Sequence, residues 1–396
     1  MNRLHSLWIV FPLTLFVPFN LSGGGASEEV MKLHRSAIVF DAHCDTAMRL
    51  VGEHRIDLAE RQERGHMDFP RMAEGGLDAQ IFAVWVDPAL PESTWVDRAR
   101  AMIEGVREQA RAHPDKMEIA LRGRDVRRIV KEGKVAAVLG IEGGHVIGES
   151  IDLLGDFYRS GVRCMTITWM NTNRFADSSD DTTRWGGLND LGRSVIREMD
   201  RLGMIIDCAH VSDSTLYDVL KVTKRPVLIS HSCMRSLCDV PRNVSDDELR
   251  ALKKNGGVIC VNYFPGYLDK EYGEKITKVW DELKERMPAL LEKYDGNHEK
   301  AWAELMPEMR ERTKDVAPVP VSRLIDHIDH AVSIVGVDHV GLGSDFDGIG
   351  VAPVGLEDVS KLPVITEELV KRGYSKDAIR KILGGNLLKL MEKVCR

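Results

Sequence analysis

Short apolar runs rich in valine and isoleucine recur from residue 37 onward, alternating with segments of helical period, and this alternation constrains the fold more than any other feature. Eight runs read as buried strands: residues 38–41, 79–86, 135–141, 164–168, 204–207, 227–230, 257–262 and 340–344. Between them, residues 95–112, 124–131, 151–158, 191–202, 212–221, 246–254 and 321–335 have helical spacing. A parallel strand needs a crossover to reach its neighbour, and a helix is the usual one. Eight such units close into an α/β (β/α)8 TIM barrel. No Gly/Ser/Pro linker divides the chain, so residues 27–396 are expected to form one domain. Residues 264–316, polar and charged with Trp280 and Trp302 at amphipathic spacing, read as an inserted helical segment after strand 7. Ser245 and Glu248 fit a capping box, which explains the serine of Asn243-Val244-Ser245 without invoking a glycan.

The first 26 residues read as a signal peptide: Arg3, an apolar stretch, then the small residues Ser22 to Ala26. The apolar stretch is short for a bilayer, so no stable membrane span is expected after cleavage, and the location is exported, periplasmic or extracellular. No cysteine follows it to carry a lipid, and the C-terminus has no apolar tail for anchor exchange. Export implies an oxidising compartment, yet seven cysteines cannot all pair within one chain; Cys44, Cys164, Cys208 and Cys260 fall in or beside strands as apolar filler. With 54 basic against 61 acidic residues the net charge is −7, which disfavours nucleic acid as a partner because no excess of cations is available to displace counterions from phosphate.

The chemistry-bearing residues gather at strand ends. His43 and Asp45 follow the first strand and, two apart in extended chain, face the same side. Glu142 closes the third strand, His210 follows the fifth, His231 ends the sixth and Asp345 ends the eighth. Barrel enzymes assemble their sites at the C-terminal ends of their strands, so six metal-competent side chains from five strands point to one centre. Imidazoles with carboxylates suit zinc or a similar transition metal better than calcium. The two oxygens of Glu142 allow it to bridge a pair of ions. His327 and His330, three apart in a helix, read as a solvated face; His145, near Glu142, is placed to orient a ligand without being assigned that role. His34, His54, His66, His113, His298 and His339 have no partner pattern.

From about Ser36 to the C-terminus the chain resembles the membrane (renal-type) dipeptidase family, peptidase family M19, of the amidohydrolase superfamily. The resemblance is carried, in order, by Asp41-Ala42-His43-Cys44-Asp45, Glu142-Gly143-Gly144, Ala209-His210-Val211-Ser212, Ser230-His231-Ser232, Arg242-Asn243-Val244 and Gly343-Ser344-Asp345-Phe346-Asp347-Gly348. It implies two divalent metal ions, most simply Zn2+, one held by His43, Asp45 and Glu142 and the other by Glu142, His210 and His231. It implies that Asp345 handles the proton of the attacking water and that Arg242 grips the terminal carboxylate of a small peptide substrate. A homodimer is a further expectation from the family.

One position departs from the family pattern. Where the family commonly has Thr-His after the fourth strand, this chain has Thr168-Trp169. The usual histidine is placed to stabilise an oxyanion, whereas indole carries a donor but no charge. Asn171, Asn173 or Arg174 is a candidate substitute donor, and Trp169 is alternatively a wall for a substrate side chain. The leading expectation is an exported metallo-dipeptidase. The alternatives are hydrolysis of another amide, such as an N-acyl amino acid or a β-lactam, and a catalytically weakened metal- and peptide-binding protein.

Overall fold

A computed structural model describes residues 27–52, 55–294 and 298–396. The signal-peptide reading, His54 and the side chain of Trp302 lie outside what is described. Among the described residues nine parallel strands are present: β1 (Phe40–Cys44), β2 (Ala79–Trp85), β3 (Met117–Ile119), β4 (Val135–Glu142), β5 (Val162–Thr166), β6 (Ile205–Asp207), β7 (Leu228–Ser232), β8 (Val258–Asn262) and β9 (Val340–Gly343). The order β2-β1-β9-β8-β7-β6-β5-β4 closes on itself through β2–β4 pairing, giving an eight-stranded barrel. These are the eight strands expected from the sequence. The additional strand β3 pairs with the first residues of β4, on the edge that β5 occupies further along. Three residues carry too little pattern to be read as a strand in isolation.

The seven expected helices form, among them Trp95–Ala112, Asp246–Asn255 and Val321–Val335. Ser245 caps Asp246–Asn255 through a reciprocal capping box with Glu248. Asn243 is buried and donates to the carbonyls of Cys238 and Tyr267, so it is no glycan acceptor. The insertion after β8 holds the helices Pro265–Leu268, Lys270–Lys284, Met287–Lys293 and His298–Thr313. Trp280, Leu283, Met287, Leu290, Leu305 and Met309 form its own small apolar core.

Two larger apolar layers organise the domain. One lies between the barrel wall and its outer helices. The other fills the barrel from Phe40, Ala42, Ile81, Ala136, Val138 and Leu228, and is sealed by Leu387, Leu388, Met391 and Val394 of the C-terminal helix Asn386–Val394. That helix plugs the end where the strands begin, leaving the opposite end for chemistry. All seven cysteines are buried and free, so no disulfide contributes to the core. No helix among the described residues is long and apolar enough to cross a membrane.

His327 departs from the solvated-face reading. It is fully buried, accepts from the backbone N–H of Met234 at Nδ1 (2.9 Å) and donates from Nε2 to the carbonyl of Leu268 (2.9 Å). The helix Val321–Val335 turns this histidine toward the barrel as a strut between the segment after β7 and the start of the insertion. Tertiary packing decided this, because a histidine at helical spacing has the same signature on either face.

Candidate metal centre

The six strand-end residues converge. His43 Nε2 lies 3.4 Å from Asp45 Oδ2, 3.5 Å from Glu142 Oε2 and 4.0 Å from Asp345 Oδ1. On the other oxygen of Glu142, Oε1 lies 3.0 Å from His210 Nε2 and 3.5 Å from His231 Nε2. Glu142 thus stands between two sets of ligand atoms, one through each oxygen. His43, Asp45, Glu142, His210 and His231 are all buried.

Local backbone geometry aims these side chains. Between Asp41 and Cys44 strand β1 takes three steps against two in β2, and between Ile229 and Ser232 strand β7 takes three against two in β8. Each irregularity is a one-residue bulge, and each contains a site histidine, His43 or His231. A bulge breaks the two-residue alternation of a strand and re-aims one side chain, here toward the mouth. His210 and Asp345 have φ of 65° and 62°, a left-handed conformation that non-glycine residues rarely adopt. Such strain persists only where surrounding contacts enforce it, typically at functional sites. Gly348 folds beneath them: a Cβ there would stand 2.1 Å from Asp45 Oδ2 and 2.4 Å from Asp345 Oδ1.

The electrostatics favour cationic charge where the ligand atoms meet. Burial opposes a proton on His43, yet the carboxylates of Glu142 and Asp45 hold its pKa well above the usual range. Burial likewise opposes charge on Glu142, but His43, His210 and His231 hold it well below the ordinary carboxylate value. Burial pushes the Asp345 carboxyl up, with Glu142 adding to the shift and His43 and Asn262 opposing it. Two buried atoms, His43 Nε2 and Asp45 Oδ1, have no hydrogen-bond partner. Buried polar atoms are rarely left unpaired, and a mixed imidazole–carboxylate donor set is one that binds zinc. His43, Glu142 and His231 form one cluster with ligand geometry and His43, Asp45 and Asp345 another, so the residues present fit a divalent metal centre.

Arg242 is 3% exposed and sits inside the centre, not on the surface. Its Nε donates to His210 Nδ1 (3.1 Å) and one Nη to the carbonyl of His231 (2.7 Å). The ring of Tyr267 lies 5.6 Å from the guanidinium carbon. Trp169 is buried, 4.9 Å between ring centroids from Trp85 and 6.4 Å from His210, and clusters with Met170 and Met48. Two of the candidate substitute donors are engaged elsewhere. Asn173 donates to the Ile167 carbonyl and accepts from the amides of Phe175 and Ala176, while Arg174 is exposed and paired with Glu92 and Glu149.

His145 donates to the carbonyl of Val86 (2.8 Å) and makes no hydrogen bond to Glu142. His66, without a partner pattern in the sequence, accepts from the Asp347 amide, and Asp347 accepts from Thr46 Oγ1 (2.8 Å) and Arg49. His34 likewise gains buried partners in Thr366 and the Gly75 carbonyl. One functional neighbour missed by the sequence reading is Asn262, the last residue of β8, whose Nδ2 donates to Asp345 Oδ2 (2.9 Å). The strand-end rule that located the candidate ligands would have found it, had amides been counted with metal-competent groups.

Comparison with known proteins gives a family and a fold. Residues 27–396 match the family described as membrane dipeptidase (peptidase family M19). Dipeptidase tcpJ of Claviceps purpurea is 32% identical over 339 residues, 83% of this chain and 69% of that protein. Dipeptidase aclJ of Aspergillus oryzae is 33% identical over 339 residues, 83% of this chain and 70% of that protein. Among solved structures, the probable dipeptidase PvdM from Pseudomonas aeruginosa superimposes with a TM-score of 0.77 at 28% identity, covering 93% of this chain and 98% of that one.

Proposed function

The chain belongs to the membrane dipeptidase family, peptidase family M19, and is a metallo-dipeptidase hydrolase; on that premise we propose an exported, binuclear zinc enzyme that cleaves dipeptides ending in a free carboxylate. The observation that carries this reading is the placement of Glu142, one oxygen toward His43 and the other toward His210 and His231, with Arg242 buried beside them. His43, Asp45 and Glu142 would hold one ion, and Glu142, His210 and His231 the other. A pair of divalent cations held there would supply Lewis acidity, lowering the pKa of a water and polarising a carbonyl.

The remaining roles belong to the chain. Asp345, held at Oδ2 by Asn262 and raised in pKa by burial, accepts the proton of the attacking water and delivers it to the leaving amine. Arg242, with Nε and part of each Nη engaged by His210, His231 and Ser232, has one N–H left on each Nη to offer the substrate's terminal carboxylate, which restricts the site to substrates with a free acid end. Trp169, with Trp85, Met170 and Met48, lines the mouth with an apolar wall against a substrate side chain. Residues 1–26 direct export and are removed, which N-terminal sequencing of the secreted protein tests.

The deciding experiment is a screen of zinc-loaded protein against dipeptides, their C-terminal amides, N-acyl amino acids and a β-lactam, with metal analysis of the same preparation. Cleavage of dipeptides but not of their amides, at two zinc ions per chain, is the expected result. Turnover of N-acyl amino acids or the β-lactam alone would transfer the site to another amide hydrolase.

A further inference from the structure

Beneath His231 lies a hydrogen-bonded pair that neither the ligand set nor the substrate contacts account for. Asp207 ends β6 and Ser230 lies in the β7 bulge beside His231; both are buried. Ser230 Oγ is 2.6 Å from Asp207 Oδ2 and 2.7 Å from His231 Nδ1. Four donors meet the two oxygens of Asp207: the Ser230 hydroxyl and the Thr166 hydroxyl (2.7 Å) at Oδ2, and the amides of Ala209 (3.0 Å) and Ser230 (2.9 Å) at Oδ1.

We propose that Asp207 and Ser230 are positioning residues that fix the tautomer of His231, leaving its Nε2 lone pair directed at the metal centre; this rests on the reading of His231 as a metal ligand. A serine hydroxyl has one proton, and a carboxylate can only accept. The Ser230 proton therefore goes to Asp207, and its oxygen is left to accept from His231. Nδ1 carries the hydrogen, and Nε2 is left as an acceptor, 2.9 Å from His210 Nε2 and 3.5 Å from Glu142 Oε1. The opposite arrangement, with Ser230 donating to Nδ1, would set the serine oxygen against Asp207 Oδ2 at 2.6 Å with no proton between them. Metal-bound histidines commonly lean directly on a carboxylate or carbonyl. Here a hydroxyl is interposed, and the carboxylate that orients it also ties together the ends of β5, β6 and β7.

A second aspartate–serine pair sharpens the assignment. On the other side of the mouth Ser344 Oγ lies 2.5 Å from Asp41 Oδ2, but its further partners are the backbone carbonyl of His43 (3.1 Å) and the amide of Phe346 (3.1 Å), not an imidazole. That pair clasps β1 to β9 and sets no tautomer.

The test is nitrogen-15 NMR of histidine-labelled full-length protein, stripped of metal and then zinc-loaded, with zinc affinity measured by competition against a chromophoric chelator. Wild-type His231 should show the Nδ1–H tautomer in both forms. Ser230→Ala and Asp207→Asn should each shift stripped His231 toward Nε2–H and weaken zinc binding by about 10–100-fold, the usual cost of losing an orienting partner. Circular dichroism confirms that each variant is folded. A wild-type Nε2–H tautomer overturns the proposal without need of any variant. So does a folded Ser230→Ala protein with unchanged tautomer and zinc affinity. Because the tautomer is read without substrate, a protein with preset His231 that cleaves no dipeptide sinks the dipeptidase reading alone. Dipeptide cleavage with the wrong tautomer sinks this one alone.

Discussion

The two ends of the barrel are built from the same strands and obey opposite rules. Where the strands begin, Phe40, Ala42, Ile81, Ala136 and Leu228 meet the apolar face of the C-terminal helix Asn386–Val394. Where they end, a few residues further on, His43, Glu142, His231 and Asp345 bring imidazoles and carboxylates into contact. Burying apolar area stabilises the fold at about 25 cal/mol per Å². Burying charge costs stability unless it is paired or bound to metal. All three non-glycine residues with positive φ among the described residues, His210, Asp345 and Asp347, are at the costly end. One end therefore stabilises the fold while the other is held in a strained, charged arrangement that the stable end makes tolerable.

Substitutions should separate the two ends. The largest effect is expected from Glu142→Gln, which weakens the bridge between the ligand sets: dipeptidase activity should fall more than about 10³-fold, with less metal retained and little change in melting temperature of the stripped protein. The mirror-image experiment is Leu388→Ala in the plug. A buried leucine truncated to alanine costs about 2–5 kcal/mol, so denaturant melts should show that loss while kcat/KM of the folded fraction stays within about twofold. If Leu388→Ala instead cut kcat/KM heavily, the functional division of the barrel would fail.

Arg242→Lys should come next. Hydrogen bonds to a charged group are worth about 1.5–3 kcal/mol, so kcat/KM for dipeptides should drop ~10–150-fold, mainly through KM, with no such drop for substrates lacking the carboxylate. Trp169→His replaces part of the apolar wall with a donor, so kcat should rise for dipeptides with small side chains while KM rises for bulky apolar ones, by less than the about 10²-fold ascribed to a full oxyanion donor.

The smallest effect depends on pH and comes from two buried histidines, His327 in the outer layer and His145 beside the mouth. Burial lowers the pKa of His327 to about 4 and of His145 to about 4, so both stay neutral in the folded protein. The unfolded chain, with histidine near 6.5, binds protons that the fold refuses, so their contribution is complete above that value and is lost as pH falls from about 6.5 toward 4. Melting temperature should decline across that window, and His327→Gln should make the decline shallower while lowering the value at pH 7.

Much of this was legible in the chain because the relevant patterns are local. All eight barrel strands appear as apolar runs, and the helix Trp95–Ala112 has the bounds that its periodicity gives. The candidate site was legible because barrel chemistry occupies strand ends, so position alone singled out His43, Glu142, His210, His231 and Asp345. Strand β3 was not, since three residues hold no period. His327 was not, since helical spacing does not say which neighbour a face will meet. The C-terminal helix shows apolar residues at Leu387, Leu388, Met391 and Val394, but nothing local says that they close the barrel. Asp207 and Ser230 are 23 positions apart and become partners only when β6 lies beside β7.

The amino-acid order alone determined the closed parallel architecture, the family and the residue types that meet at the mouth, because periodicity and motif order are properties of a linear chain. The tertiary structure decided the rest: the bulges that aim His43 and His231, the burial of Arg242 against His210, and the hydroxyl that orients one imidazole and not the other. Those depend on register and on hydrogen-bond partners distant in the chain, and a donor's one proton finds its acceptor only after the strands have closed.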